Sequence, residues 1–191
     1  MASLILLTFM HSVMAVEITT IPQVGPHFRI LTLEKNENPQ NILAIYTKLN
    51  GACEIEDDSK SRPVLDYYWL MDRQRYKPLN LLIRRGVSRR LSLAPQSNKN
   101  SFSLNVNDLR ELKTDIANPS ITVTSRKTDT GCVAQARMQL GPSDGERTLL
   151  LTGIYSESSK TFLPPFRKLL SLTLEGIDAK TGEVVRKTYS H

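Results

Sequence analysis

The feature that most constrains this chain is its rhythm. Short stretches that alternate β-forming and polar residues recur from Phe28 to Tyr189, and clusters of Gly, Pro, Asn or Asp separate them. Successive side chains of a strand point to opposite faces, so such a stretch buries one face and wets the other. Many short strands with turn signals between them specify a sandwich or a barrel. The expected fold is therefore mostly β: an antiparallel sandwich or barrel-like single domain with one or two short helices.

The individual elements follow from the same reading. Residues 28–33 and 41–49 form a hairpin across the polar turn 34–39. Residues 51–62 are an acidic loop ended by Pro63, and 64–71 is a strand dense in aromatics, with Tyr67, Tyr68 and the sole Trp69. Residues 72–77 read as a basic turn. Pro78 suits the first position of a helix, and Leu79, Leu82 and Ile83 share a helical face, so a helix is expected over 78–85, stopped by Gly86. Residues 87–93 then alternate as a strand. After a turn at 95–100 and a strand at 101–106, Asn107 is placed to cap a short helix with Leu109, Leu112 and Ile116 on one face. A bent continuation of the strand is the alternative there. Strands are expected at 120–126, 132–140 and 147–155. Residues 160–167 hold Pro164-Pro165, a rigid edge segment that no central strand tolerates. Residues 169–177 and 183–189 make a closing hairpin.

The N-terminal stretch carries a different signal. MASLILLTFMHSVMA holds no Lys, Arg, Asp or Glu, has an apolar run at 4–10 and ends Val13-Met14-Ala15. That pattern predicts a signal peptide, residues 1–15, cleaved after Ala15. Residues 16–26 are then an extended leader, and 27–191 a single β-rich domain. The apolar run is too short for a retained span, which needs roughly 20 residues. The segment before that run lacks a basic residue, so either the signal is atypical or the natural start lies upstream of Met1. Export implies a periplasmic or secreted chain. Cys53 and Cys132 are the only cysteines, and an oxidising compartment favours their pairing. Two separate buried thiols are the alternative.

The order of segments also carries a likeness. It runs EKNENPQNILAIYTKL, RPVLDYYWLM, YKPLNLLIRRGV and EGIDAKTGEVV. This order resembles the bacterial secreted family called domain of unknown function 4833, over residues 27–190. The resemblance implies a secreted β-domain and, the family having no assigned activity, no catalytic residue. Where that pattern has aromatic-Gly-Val, this chain has Arg85-Gly86-Val87.

Catalytic chemistry has little to stand on. Once residues 1–15 are removed, His27 and His191 are the histidines that remain, so a histidine general base would have to be His27. No GxSxG, HExxH, P-loop or GxGxxG is present. No catalytic residue, cofactor or metal is assigned. Glu54, Glu56, Asp57 and Asp58 could hold calcium or serve as acid and base on a glycan, but their spacing is not that of an EF-hand, and a solvated acidic loop accounts for them.

The basic residues are the most suggestive group. The chain carries a formal charge of +6 with pI near 9.4. Arg73, Arg75, Lys77, Arg84, Arg85, Arg89 and Arg90 crowd together, close to Tyr67, Tyr68, Trp69 and Tyr76. Arginine forks grip phosphate or carboxylate, and aromatic faces stack on sugars. The arginines are candidate anion-binding residues and the aromatics a candidate platform. In an exported chain the target is an envelope polymer or a lipid headgroup rather than nucleic acid. Alternation offers the competing reading: Tyr67 and Trp69 face away from Tyr68, and the arginines are a solvated strand edge. Asp66 shares the face of Tyr68 and, if buried, calls for a partner among the arginines at 84–90. The expected function is non-enzymatic binding of an envelope component or a partner protein. A carboxylate hydrolase on glycan or peptide and a binder of anionic polymer or headgroup are the alternatives.

Overall fold

The computed structural model describes residues 27–35, 41–71, 75–79, 81–94, 98–112, 114–159 and 168–191. The expected signal peptide and leader (1–26), the turn residues 36–39, 72–74 and 95–97, and the Pro164-Pro165 segment (160–167) lie outside these.

Strands form where the sequence period is two. β1 (His27–Lys35) pairs antiparallel with β2 (Asn41–Lys48), β3 (Leu65–Met71) adds to β2, and β4 (Arg75–Pro78) adds to β3. Helix α1 (Leu81–Arg90) leads into a second antiparallel series. This is β5 (Leu91–Leu93), β6 (Ser101–Val106), β7 (Ser120–Thr128) and β8 (Gly131–Gln139), with the short helix α2 (Asn107–Glu111) between β6 and β7. β9 (Thr148–Ser158), β10 (Leu169–Asp178) and β11 (Val184–Ser190) close the chain as a meander.

β9 joins the two series. β10 pairs along nearly its whole length, so β8 and β1 share its other edge. The first part, Thr148 to Leu151, runs antiparallel to β8, and Gly153 to Ser156 runs parallel to β1. The sheet therefore forks at β9 into two wings. The β1–β9 contact is parallel; every other named strand pair is antiparallel. The mostly β, single-domain fold with two short helices is as expected, built as one curled, forked sheet.

The wings share one core. Leu43, Ile45, Leu65 and Tyr67 come from the first, Phe102, Leu104, Ile121, Val123 and Met138 from the second, and Leu149, Leu151 and Leu172 from the meander. A fully buried side chain of this size contributes roughly 1.5–3 kcal/mol. Ile42, Ala44, Tyr46 and Leu70 alternate with these residues on the other face of the first wing, and they are buried too. Both faces of β2 are thus covered, which is why Asn41 to Tyr46 reads as an almost unbroken apolar run. The second wing keeps its outer face mostly polar: Ser103, Asn105, Thr122, Thr124, Arg126, Gln135 and Arg137 lie there with Val133, alternating with buried or partly buried residues.

Three local expectations change. The helix does not run 78–85 and stop at Gly86; it is Leu81–Arg90, and only Leu91–Leu93 of the expected strand 87–93 is extended. Val87 and Leu91 are both buried at i, i+4, a spacing that also fits alternation, so a short run could not separate the two periods. Gly in a helix interior costs only about 1 kcal/mol, which the buried Val87 offsets. The expected turn 72–77 holds a strand, since Arg75–Pro78 is β4 and Pro78 ends it. Asn107 does not cap α2: it is that helix's first residue, and its side-chain amide instead donates to the Arg89 carbonyl at the end of α1, 2.7 Å away. Leu109, Leu112 and Ile116 are buried as expected.

Candidate functional site

Arg84 lies where the β3 edge runs out of partners. β4 pairs with Tyr68 to Met71, and beyond it the Leu79 N–H donates to the Tyr67 carbonyl at 3.1 Å. Two residues further along β3, the Arg84 guanidinium takes over, donating to the Leu65 carbonyl at 2.9 Å. The same nitrogen reaches Asp66 Oδ1 at 3.4 Å, and the guanidinium carbon lies 5.5 Å from the centre of the Tyr67 ring. The ion pair expected for Asp66 is therefore made by Arg84.

Asp66 has a second neighbour. Its Oδ2 lies 3.0 Å from His27 Nδ1, at ion-pair distance but without the alignment of a hydrogen bond. The His27 ring meets Tyr68 edge-on at 6.1 Å, and Tyr68 meets Tyr46 edge-on at 5.5 Å. Burial pushes the phenol pKa of both Tyr67 and Tyr68 up. The group joins β1, β2, β3 and α1 on the outer side of the first wing.

Arg90 is engaged in the same manner at the other end of α1. Its Nε donates to Asp108 Oδ2 at 2.6 Å, and its Nη2 bonds the same oxygen. This pair lines a crevice between Glu34, Val106 and Ser156 with about 10 Å³ of room, enough for about one water. Arg85 and Arg89 are exposed, and among the described residues neither has an acidic or hydrogen-bonding partner. Lys77 is exposed as well. Of the remaining candidates, Arg73 lies outside the described residues, and only the backbones of Arg75 and Tyr76 are described, in β4. The aromatics do not share a face. Tyr67 and Trp69 turn to the core, and Tyr68 turns to His27 and Tyr46.

The acidic loop is internally organised. Asn50 Nδ2 donates to Glu54 at 3.1 Å, and Arg62 binds Asp58 through two nitrogens at 3.0 and 2.6 Å. The Arg62 hydrogen bond leads in holding the Asp58 carboxyl down at about 2. Asp57 is exposed, and the four carboxylates do not converge. The loop is fastened to the second wing by the Cys53–Cys132 disulfide, with Cα atoms 5.3 Å apart. Cys53 holds a left-handed φ of 62°.

One constellation escaped the sequence. Lys187 Nζ donates to Asp144 Oδ1 at 2.6 Å, the Tyr189 hydroxyl donates to Oδ2 at 3.3 Å, and nearby Ser143 N–H donates to Asp115 at 2.9 Å. Burial first, then the Asp144 and Asp115 charges, push the Tyr189 pKa up. Lys187 and Tyr189 sit two apart in β11, so both turn inward; that spacing was the available signal. Among the described residues no group of three or more His, Cys, Asp or Glu is placed to hold a metal ion.

Comparison of the chain with protein-family models, with curated proteins and with solved structures finds no match.

Proposed function

We propose that this chain is an exported, non-enzymatic binding domain that engages an anionic envelope component through the outer face of α1. One observation carries the reading. Arg84 and Arg90 are taken up by Asp66 and Asp108, whereas Arg85 and Arg89 stand exposed with no acidic partner among the described residues. Residues four apart on a helix are neighbours, so the two guanidinium groups present one cationic face. A guanidinium fork on a fixed helix binds phosphate or carboxylate with both charge and direction. The disulfide agrees with export, and no helix among the described residues is long and apolar enough to cross a membrane. The resemblance of residues 27–190 to domain of unknown function 4833 belongs to the same proposal, as a secreted β-domain.

The test is retention on heparin resin and on phosphatidylglycerol vesicles at rising salt. Wild-type protein binds at low salt and elutes as salt rises, because the contact releases counterions. Arg85→Glu/Arg89→Glu loses retention, while Lys127→Glu, on the β7 surface, keeps most of it. Unchanged retention of the double variant rejects the reading.

A further inference from the structure

Gly86 stands in the middle of α1 without a local reason to be glycine. Apart from proline, no residue is less favourable inside a helix. Glycine is usually kept in such a place by a left-handed backbone, or by a neighbour too close for a side chain. Neither holds here. Gly86 is exposed within Leu81–Arg90, and its backbone is not left-handed. Among the described residues, a Cβ added to it meets nothing within 4 Å. What Gly86 does adjoin is the exposed arginine pair. Residues three apart are neighbours on a helix, and at 100° per residue Gly86 lies about 60° around the axis from Arg89. Ser88 lies about 60° beyond Arg85 on the other side. Its hydroxyl is turned back onto the helix, donating to the Arg84 carbonyl at 3.0 Å. Arg85 and Arg89 thus stand between two low flanks, one bare and one bearing a small side chain already engaged.

We propose, resting on the binding face assigned above to α1, that Arg85 and Arg89 hold a phosphodiester whose body lies over Gly86 and Ser88. A phosphodiester continues through an ester oxygen on each side of its charge, so it needs room on both sides of the arginine pair. A phosphomonoester or a carboxylate ends at its charge, approaches end-on and needs no such room. Guanidinium forks match the two unesterified oxygens of the diester. With no Cβ at position 86, the ligand packs directly against the helix backbone. The two roles are then separate: the arginines supply the attraction, and Gly86 determines specificity by admitting a diester. The same chemistry is offered by a diester lipid headgroup and by a free glycerophosphodiester.

The experiment titrates the intact, disulfide-bonded chain with phosphatidylcholine vesicles that carry either phosphatidylglycerol, a diester, or phosphatidic acid, a monoester, at equal surface charge. The wild type prefers the diester vesicles. Gly86→Ala lowers affinity for them roughly tenfold, the effect of one methyl forced into a packed contact, and leaves affinity for the monoester vesicles in place. Its melting temperature equals or exceeds that of the wild type, because alanine suits a helix and has room at this position. A glycine of merely structural use would instead lower the melting temperature on substitution and leave the preference between the two lipids untouched. Soluble glycerophosphoglycerol separates the sources. Displacement from the diester vesicles assigns the site to the free diester, retention in its presence assigns it to the headgroup in a bilayer, and either supports the proposal. Equal affinity of the wild type for both vesicles overturns it, as does a Gly86→Ala chain that binds the diester vesicles undiminished or weakens on both alike. Loss of binding in Arg85→Glu/Arg89→Glu beside an unaltered Gly86→Ala leaves the arginine face standing without this specificity; unchanged binding of the double variant rejects that face itself.

Discussion

Removing the Cys53–Cys132 bond gives the most quantitative check on how the two wings are held together. The bond links the loop after β2 to the start of β8, across a sequence separation of 79. In the chain-entropy model a closed loop of that length restricts the unfolded chain by about 4.5 kcal/mol at 25 °C. The left-handed backbone at Cys53 does not alter this sum, because serine at the same position bears the same conformational cost. A hydroxyl at a site only 2% exposed adds a burial penalty, so two perturbations are needed. Cys53→Ser/Cys132→Ser is compared with the wild type after reduction, which leaves both side chains as thiols. Urea or guanidinium unfolding reads the stability, and the slope reports the wider exposure of an unfolded chain free of its cross-link. The expected loss is about 4–5 kcal/mol by reduction, somewhat more for the serine variant, with the melting temperature falling roughly 9–18 °C for a chain of this size. A loss under about 1 kcal/mol by both routes refutes the reasoning. It would mean that the bond does not form or that the reduced unfolded chain already keeps the wings together.

Gly176 sits at a bulge in β10, where an added Cβ would run into the Leu150 carbonyl, whose carbon is 3.0 Å away; Gly176→Ala should cost about 1–3 kcal/mol in a thermal melt, and an unchanged melt would place the bulge elsewhere. Tyr189 has its folded pKa raised, so its contribution is intact below the unfolded phenol value and declines as pH rises past about 10. The alkaline fall in stability should therefore be shallower in Tyr189→Phe than in the wild type, and equal slopes would detach that phenol from the Asp144 pair.

The strands were legible because burial writes a period of two into them. β6 and the β7–β8 hairpin were placed nearly to the residue, since each has one wet and one buried face. The closing hairpin was equally clear: Asp178 accepts from the N–H groups of Lys180 and Thr181, and Gly182 takes a φ of +75°. What stayed hidden needed partners far along the chain. Nothing within β1 distinguishes a parallel contact with β9 from an antiparallel one. The buried outer face of β2 likewise looks, in sequence, like an ordinary strand. Tyr189 and Asp144 stand 45 residues apart, and local spacing says nothing of such a pair.

The basic run was divided in the sequence between a helix over 78–85 and a strand over 87–93, so the facing of Arg84 and Arg85 relative to Arg89 and Arg90 was not legible there. The one helix that forms, Leu81–Arg90, keeps Arg85 and Arg89 together, about 40° apart around the axis at 100° per residue. It separates Arg84 from Arg90, six residues on, by about 120° around the axis. That separation lets one arginine reach Asp66 in the first wing while the other reaches Asp108 beside the second. α1 is thereby fastened between the wings by the two arginines that point inward, and the fastening fixes the direction in which the other two point. The arginines that hold the helix and the arginines left exposed are thus set by one property, the helical period. It follows that Arg85 and Arg89 can be reversed without loosening α1, whereas substitution of Arg84 or Arg90 would disturb the proposed binding face indirectly.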